Sequence, residues 1–413
     1  MSTITLYTAS WLYNPGQPPI PGGAVAVQDG HILAVGPATE LVMRFGQPTA
    51  DYPGCVILPG FVNAHTHLEL THFPAWRLRG GLDYHPRRFV DWIVQMVKVR
   101  RGVTAEETGL SLKAGIAACL RAGTTSVGDI VTAPELLAAY EGSLLAGRLY
   151  LELIGQDLTI FEPRLRKALQ AALALNGTQR AGLSPHAPYT LSQAVLPGIA
   201  AAAQQHKLPL ALHLAESADE DTLLFDSSGP LADELYPLVG WQGFLPAPRR
   251  TTPARYLMHG GLLGPSTLAV HCVQVTPSDA ALLKGRDVTI CLCPRSNERL
   301  AVGHAPVHLF KKLGIPLCIG TDSLASNDSL SLWDELRFAL DAYNGELTPE
   351  ELLKMATSGG AAGLGLARQV GSLTVGKRAD FQVLECAGGC TAESLLERSS
   401  LREIFAAGIS VSS

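Results

Sequence analysis

The sequence predicts an α/β protein: a (β/α)8 TIM-like barrel beside a small β-sandwich-like module to which both chain termini contribute. Two observations carry this prediction. After Pro59, eight apolar runs of strand length alternate with helical stretches rich in alanine and leucine, the pattern of repeated βα units. Residues 1–58 and 370–413 read instead as short strands joined by turns, so they are assigned to one β module and residues 59–369 to the barrel.

In chain order, "STITLYTASWLY", "GAVAVQDGHILAVGP" and "CVILPG" are strand segments, with Asp29-Gly30 as a hairpin signal. No helix is expected before Pro59. The barrel strands are then "FVNAHTH", "TTSVGDIV", "RLYLELIG", "GLSPHAP", "LPLALHLAE", "TLAVHCVQV", "VTICLCPRSN" and "IPLCIGTDS". Stretches such as "AEETGLSLKAGIAACLRAG" and "LSQAVLPGIAAAAQQHK" suit helices packed around them. Residues 221–256 are long for a βα connection and are expected to form a substrate-covering loop. Further helices follow from "SLWDELRFALDAYNGELTPEELLKM", and "VGSLTVGKRADFQVLE" returns to strand character.

A chain of 413 residues suits one large barrel with an appendage. With 47% hydrophobic and 17% charged residues it can bury a large core, which argues against extensive disorder. The net charge of −5 supplies none of the basic excess that drives nucleic-acid binding. A small-molecule substrate is expected, with no nucleic-acid or membrane partner; a homo-oligomer is compatible with the composition. The eight cysteines contain no CxxC pair and lie mostly in apolar runs, so buried free thiols are expected. The N-terminal segment has no signal-peptide pattern and no long apolar span follows, which points to a cytoplasmic protein.

Barrel active sites lie at the C-terminal ends of the strands, and there this chain places polar residues. His65 and His67 end the first run; at i and i+2 on a strand their side chains share a face. Alone, such a pair reads equally well as two histidines satisfied by backbone carbonyls. His213 ends the fifth run, His271 the sixth and Asp322 the eighth, and burying all five uncompensated would be costly. One shared divalent metal supplies the compensation. Imidazoles and a carboxylate with an open position suit zinc, and ferrous iron is also compatible. Glu216, three residues beyond His213, is placed for proton transfer. His186 ends the fourth run, where it either bridges loops or meets substrate. Asn297 and Ser323 either brace loops or serve the site, while His72, Asp83 and His85 receive no role.

The motifs "LPGFVNAHTHLEL", "SPHAPYTLS", "LHLAES", "VHC", "CPRSN", "GTDSLASN" and "GSLTVGKRADF" together resemble the deaminase and chlorohydrolase branch of the amidohydrolase superfamily. The resemblance implies that His65, His67, His213 and Asp322 bind one metal and that Glu216 and His271 assist catalysis, with His271 a ligand in some states. Asp322 would also accept a proton from the attacking water, whose pKa a metal lowers. His186 would bind substrate. Binuclear members use a carboxylated lysine from a middle strand; neither "RLYLELIG" nor "GLSPHAP" contains one, so a mononuclear site is expected.

The stretches "VGDIVTAPE", "LSPHAPYTLS", "CPRSNERL" and "GTDSLASNDSL" look like the aminodeoxyfutalosine deaminase group of that branch, which acts in menaquinone biosynthesis. Its substrate, 6-aminodeoxyfutalosine, carries a benzoate that would want an arginine. Arg295 is the expected partner, with Arg87, Arg88 and Arg255 as alternatives. Nucleoside deaminases of the branch often place a ribose-gripping glutamate after the first helix. Here "FVDWIVQMVKVRRG" offers only Gln95 near that position, which weakens S-adenosylhomocysteine and methylthioadenosine as substrates. Deamination of another purine or pyrimidine or of an S-adenosylhomocysteine-type nucleoside, dechlorination, cyclic amide hydrolysis, or a non-catalytic scaffold are the alternatives.

Overall fold

The computed structural model describes residues 3–386 and 389–411; positions 1–2, 387–388 and 412–413 of the expected terminal module lie outside the described residues. The chain opens with strands β1 (Thr5–Leu12), β2 (Ile20–Pro21), β3 (Gly23–Gln28), β4 (His31–Pro37) and β5 (Ala50–Pro59). Asp29 and Gly30 turn between β3 and β4 with φ of 51° and 74°, as a tight hairpin requires. One expectation fails here: helix α1 (Ala38–Phe45) precedes Pro59. Leu41 is the buried residue of that helix, and it joins Leu6, Ala24, Ala26 and Ala34 in a small core on the sheet. The helix spans only about two turns, too short for its period to stand out from the strands around it.

All eight apolar runs become the barrel strands: β6 (Phe61–Thr66), β7 (Thr124–Val131), β8 (Ala146–Leu153), β9 (Gln179–Pro185), β10 (Leu210–Leu214), β11 (Thr267–His271), β12 (Thr289–Leu292) and β13 (Leu317–Ile319). They pair in parallel, each with the next. Closure comes from a bridge between Thr66 and Asp322, where the Asp322 N–H donates to the His65 carbonyl at 3.1 Å. Gly320 permits this meeting, since a Cβ there would lie 2.6 Å from the His65 carbonyl oxygen. Val62, Ala64, Ile130, Tyr150, Ala211, Leu268 and Val270 fill the barrel interior, as a packed core rather than a pore. Between β6 and β7 lie α2 (Phe73–Arg79), α3 (Phe89–Arg100) and α4 (Ala105–Arg121). The eight cysteines are free thiols, and all but Cys386 are buried.

Strands β14 (Phe381–Cys386), β15 (Ser399–Ala406) and β16 (Ile409–Ser410) return to the first sheet. Its order is β16-β15-β14-β5-β1-β3-β4, with β2 on β1. The sheet curls over its own core: Tyr7 on β1 packs its ring, tilted by 57°, 4.7 Å from that of Phe405 on β15, although β5 and β14 lie between those strands. From this sheet β5 runs through Gly60 straight into β6, so the module anchors the strand that carries His65. Residues 221–256 are largely helical, including Ala218–Asp226, a π-type turn at Leu231–Leu235 and Pro253–His259, rather than an open loop. Among the described residues no helix is long and apolar enough to cross a membrane.

Candidate active site

Four barrel strands deliver the expected cluster to one point. His65 and His67 leave β6 with ring centroids 4.9 Å apart, and His213 arrives from β10. The Nε2 atoms of His67 and His213 are 3.3 Å apart. Two nitrogens at roughly 2.0–2.1 Å from a tetrahedral zinc would be separated by about that distance. Asp322 Oδ1 lies 3.7 Å from Nε2 of both His65 and His67. Both ring nitrogens of His65, and Nε2 of His271, are buried without a hydrogen-bond partner, an arrangement that burial penalises unless another group accepts their lone pairs. The donor set therefore fits one divalent metal.

The groups behind the cluster orient it. His213 Nδ1 lies 2.9 Å from the His186 carbonyl and His271 Nδ1 lies 2.8 Å from Asn297 Oδ1; each is then the N–H donor, which leaves Nε2 with its lone pair. Ser296 and Ser326 both donate to Asp322 Oδ2 at 2.7 Å, leaving Oδ1 toward the histidines. His271 and Asp322 hold φ of 70° and 55°, a conformation that non-glycine residues rarely adopt and that clusters at functional sites. Burial, then the neighbouring His65, lowers His67 to about 3; burial likewise lowers His186 and His271 to about 4. Neutral imidazoles are the form that binds metal.

Glu216 is buried beside them, with Oε1 3.5 Å from His271 Nε2. Burial, followed by the Asp322 and Glu220 carboxylates, pushes its carboxyl well above the usual range. For Asp322 burial acts in the same upward direction, but the facing His65, His67 and His271 imidazoles outweigh it and hold the carboxyl well below its ordinary value. Two carboxyls in one site are thus driven apart, one toward acid and one toward anion.

These residues open into a cavity of about 390 Å³. Trp92, Ile93, Met96 and Val97 of α3 form one apolar wall, and Leu235, Val239 and Trp241 from the 221–256 segment another. His186 and Ser323 line the cavity as well, and Asn297 sits behind His271. Gln95 does not take the ribose position: its amide donates to the Leu82 and Tyr84 carbonyls at 2.7 and 3.0 Å. Arg295, expected to hold a substrate carboxylate, is absent from the cavity lining. Its Nε donates to Asn327 at 3.1 Å and its guanidinium pairs with Asp328, because the helix Pro294–Arg299 turns it away from the strand ends. Arg88 pairs with Asp91 and Glu234, and Arg255 lines a separate cleft. Sequence reasoning missed Glu69, Arg100, Thr132 and Glu152, which also line the cavity. A signal existed for Arg100, since Trp92, Met96 and Arg100 recur every four residues on one face of α3.

Residues 56–405 match the amidohydrolase family. The chain belongs to the amidohydrolase family. A shorter segment, residues 23–42, matches the bacterial imidazolonepropionase-like composite domain. The chain is 32% identical over 381 residues to a 5-methylthioadenosine/S-adenosylhomocysteine deaminase of Syntrophobacter fumaroxidans, covering 88% of this chain and 80% of that one. It is 33% identical over 355 residues to an aminodeoxyfutalosine deaminase of Deinococcus radiodurans, covering 82% and 80% respectively. A zinc-bound adenosine deaminase from Xanthomonas campestris superposes with a TM-score of 0.81 at 26% identity, over 98% of this chain and 92% of that one. This amidohydrolase is a hydrolase acting on carbon–nitrogen bonds.

Proposed function

We propose that the protein is a mononuclear metal-dependent deaminase of a purine-type nucleoside, with the adenine of 6-aminodeoxyfutalosine as the substrate and menaquinone biosynthesis as the setting. The observation that carries the deaminase reading is the buried, acid-prone Glu216 beside His271, in the cavity that the histidine cluster also faces. His65, His67, His213 and Asp322 are the proposed ligands, and zinc is the proposed ion. When bound, that metal supplies Lewis-acid activation of water at neutral pH.

The remaining work falls to the chain. Protonated Glu216 donates to a ring nitrogen, which makes the adjacent amino-bearing carbon electrophilic. Asp322 Oδ1 accepts a proton from the attacking water, while the two serines on Oδ2 hold the carboxylate still. His271, tethered through Nδ1, directs Nε2 at the developing oxygen substituent. Deprotonated Glu216 then takes the proton of the adduct's hydroxyl and relays it to the amino group, the carbon–nitrogen bond breaks, ammonia leaves with the oxo-heterocycle as the other product, and the proton on Asp322 returns to Glu216. His186 is the proposed contact to the heterocycle, and the apolar walls keep bulk water from the reacting carbon.

The test is a deamination screen with zinc- or iron-loaded protein. It compares 6-aminodeoxyfutalosine, methylthioadenosine, S-adenosylhomocysteine, adenosine, guanine and cytosine by ammonia release. Turnover of 6-aminodeoxyfutalosine with the highest kcat/KM is the expected result. Faster turnover of S-adenosylhomocysteine or methylthioadenosine would move the substrate assignment, and absence of ammonia from every compound would overturn the deaminase reading.

A further inference from the structure

The polar floor of the cavity takes no part in the chemistry above. It lies on the β7 and β8 side, where Thr132 follows β7 and Glu152 stands near the end of β8. The proposed metal ligands come from β6, β10 and the end of β13. A substrate whose amino-bearing carbon sits at the metal cluster therefore extends its remaining part toward this floor.

Its residues differ sharply in how far the protein itself satisfies them. Glu69 is saturated: it accepts from Arg100 at 2.5 Å, from the Thr132 N–H at 3.0 Å and from the Thr132 hydroxyl at 2.8 Å. Arg100 is held by Glu69 and by Thr132 Oγ1 at 3.2 Å, which uses two of its five N–H donors. Glu152 lines the cavity, and its carboxyl makes no hydrogen bond or ion pair with any other described residue, although the Glu69 and Arg100 charges act on it through space. A carboxyl group in a largely apolar cavity without a partner is costly unless a ligand completes it.

We propose that Glu152 and Arg100 form a hydroxyl-binding subsite for the sugar of the substrate, Glu152 accepting from neighbouring hydroxyls and Arg100 donating to a hydroxyl oxygen. This rests on the nucleoside deaminase reading. Glu69 already matches the Arg100 cation, and burial favours the neutral form of the Glu152 carboxyl, so the subsite offers a substrate carboxylate no unmatched positive charge. Neutral hydroxyls, which both donate and accept, suit this pair of groups.

The test measures binding and turnover in parallel on the metal-loaded protein. Purine riboside and its 2′,3′-dideoxy counterpart, which carry no amino group, are titrated calorimetrically into the wild type, Glu152→Ala and Glu152→Gln. A site built to bond hydroxyls should favour the riboside by about tenfold or more. Glu152→Ala should reduce that preference to within about threefold, and Glu152→Gln, which keeps a carbonyl acceptor, should fall between. Circular dichroism and thermal melting establish that the variants fold. Equal binding of the two compounds by the wild type, no binding of either, or an unchanged preference in folded Glu152→Ala overturns the subsite. Ammonia release from adenosine, dideoxyadenosine and free adenine separates the two ideas. Turnover of all three without any benefit from the sugar hydroxyls leaves a deaminase without this subsite. A hydroxyl preference lost in Glu152→Ala, with no ammonia from any of the three or from 6-aminodeoxyfutalosine, methylthioadenosine and S-adenosylhomocysteine, supports the subsite and sinks the deaminase reading alone.

Discussion

At Glu216 the environment decides the chemistry. Its raised carboxyl holds its proton to a higher pH than an ordinary glutamate, and the protonated fraction falls as pH rises through the raised value. The acid-dependent rate should therefore decline on the alkaline side. Glu216→Gln should retain its metal by elemental analysis, lose about 10²–10⁴-fold in kcat and show no such alkaline limb. Asn297 is the second residue to test, as the partner of His271 Nδ1. Asn297→Ala should lower kcat/KM by about 10–100-fold with the melting temperature little changed, and Asn297→Asp, which restores an acceptor, should recover part of it. Both residues stand in legible motifs, "HLAES" and "CPRSN", yet their roles differ in how visible they were. Glu216 follows a metal-ligand candidate along the chain, whereas the pairing of Asn297 with His271 depends on two strand ends lying side by side.

The elements repeat that division. Each barrel strand was readable because its run is apolar, short and followed by a polar or small-residue turn. What no single run reveals is closure, and that depends on β13 approaching β6 across Gly320. Gly320→Ala should force the Cβ against His65, destabilise the fold by about 1–3 kcal/mol or more and lower metal content, because His65 and Asp322 flank the contact. Thermal denaturation and metal analysis check both halves. Helix α3 shows the opposite limit. Its apolar residues lie together in the sequence, but that they line a cavity with Arg100, rather than simply packing on the barrel, is a tertiary fact.

For the whole molecule, several buried carboxyls set the pH dependence of stability. Burial is the leading cause that pushes Asp129, Glu152, Glu220 and Glu335 each up to about 8. In the unfolded chain these groups ionise near their ordinary values, so from there up to about 8 the native state binds more protons and stability falls as pH rises. The buried histidines, lowered in the fold, act oppositely below their ordinary value of about 6.5 and fall silent above it. The metal-free protein should therefore melt at a lower temperature at about pH 9 than at about pH 7. Adding zinc should raise the melting temperature, by about 2.7 kcal/mol of stabilisation at a hundredfold excess over Kd, and a chelator should reverse it. A melting temperature indifferent to zinc and iron would count against the metal site.

By itself the sequence determined the eight strand runs, the histidines and aspartate at their ends, and the return of the C-terminal strands to an N-terminal sheet, since periodicity, side-chain type and turn chemistry act over a few neighbouring residues. Only the tertiary structure decided which polar groups share one cavity. Arg295, on a strand end in sequence, turns toward Asp328, while Arg100, at the end of a helix, reaches the floor beside Glu69 and Glu152. Side-chain direction and ion-pair choice depend on neighbours brought together from distant parts of the chain, and no local pattern encodes them.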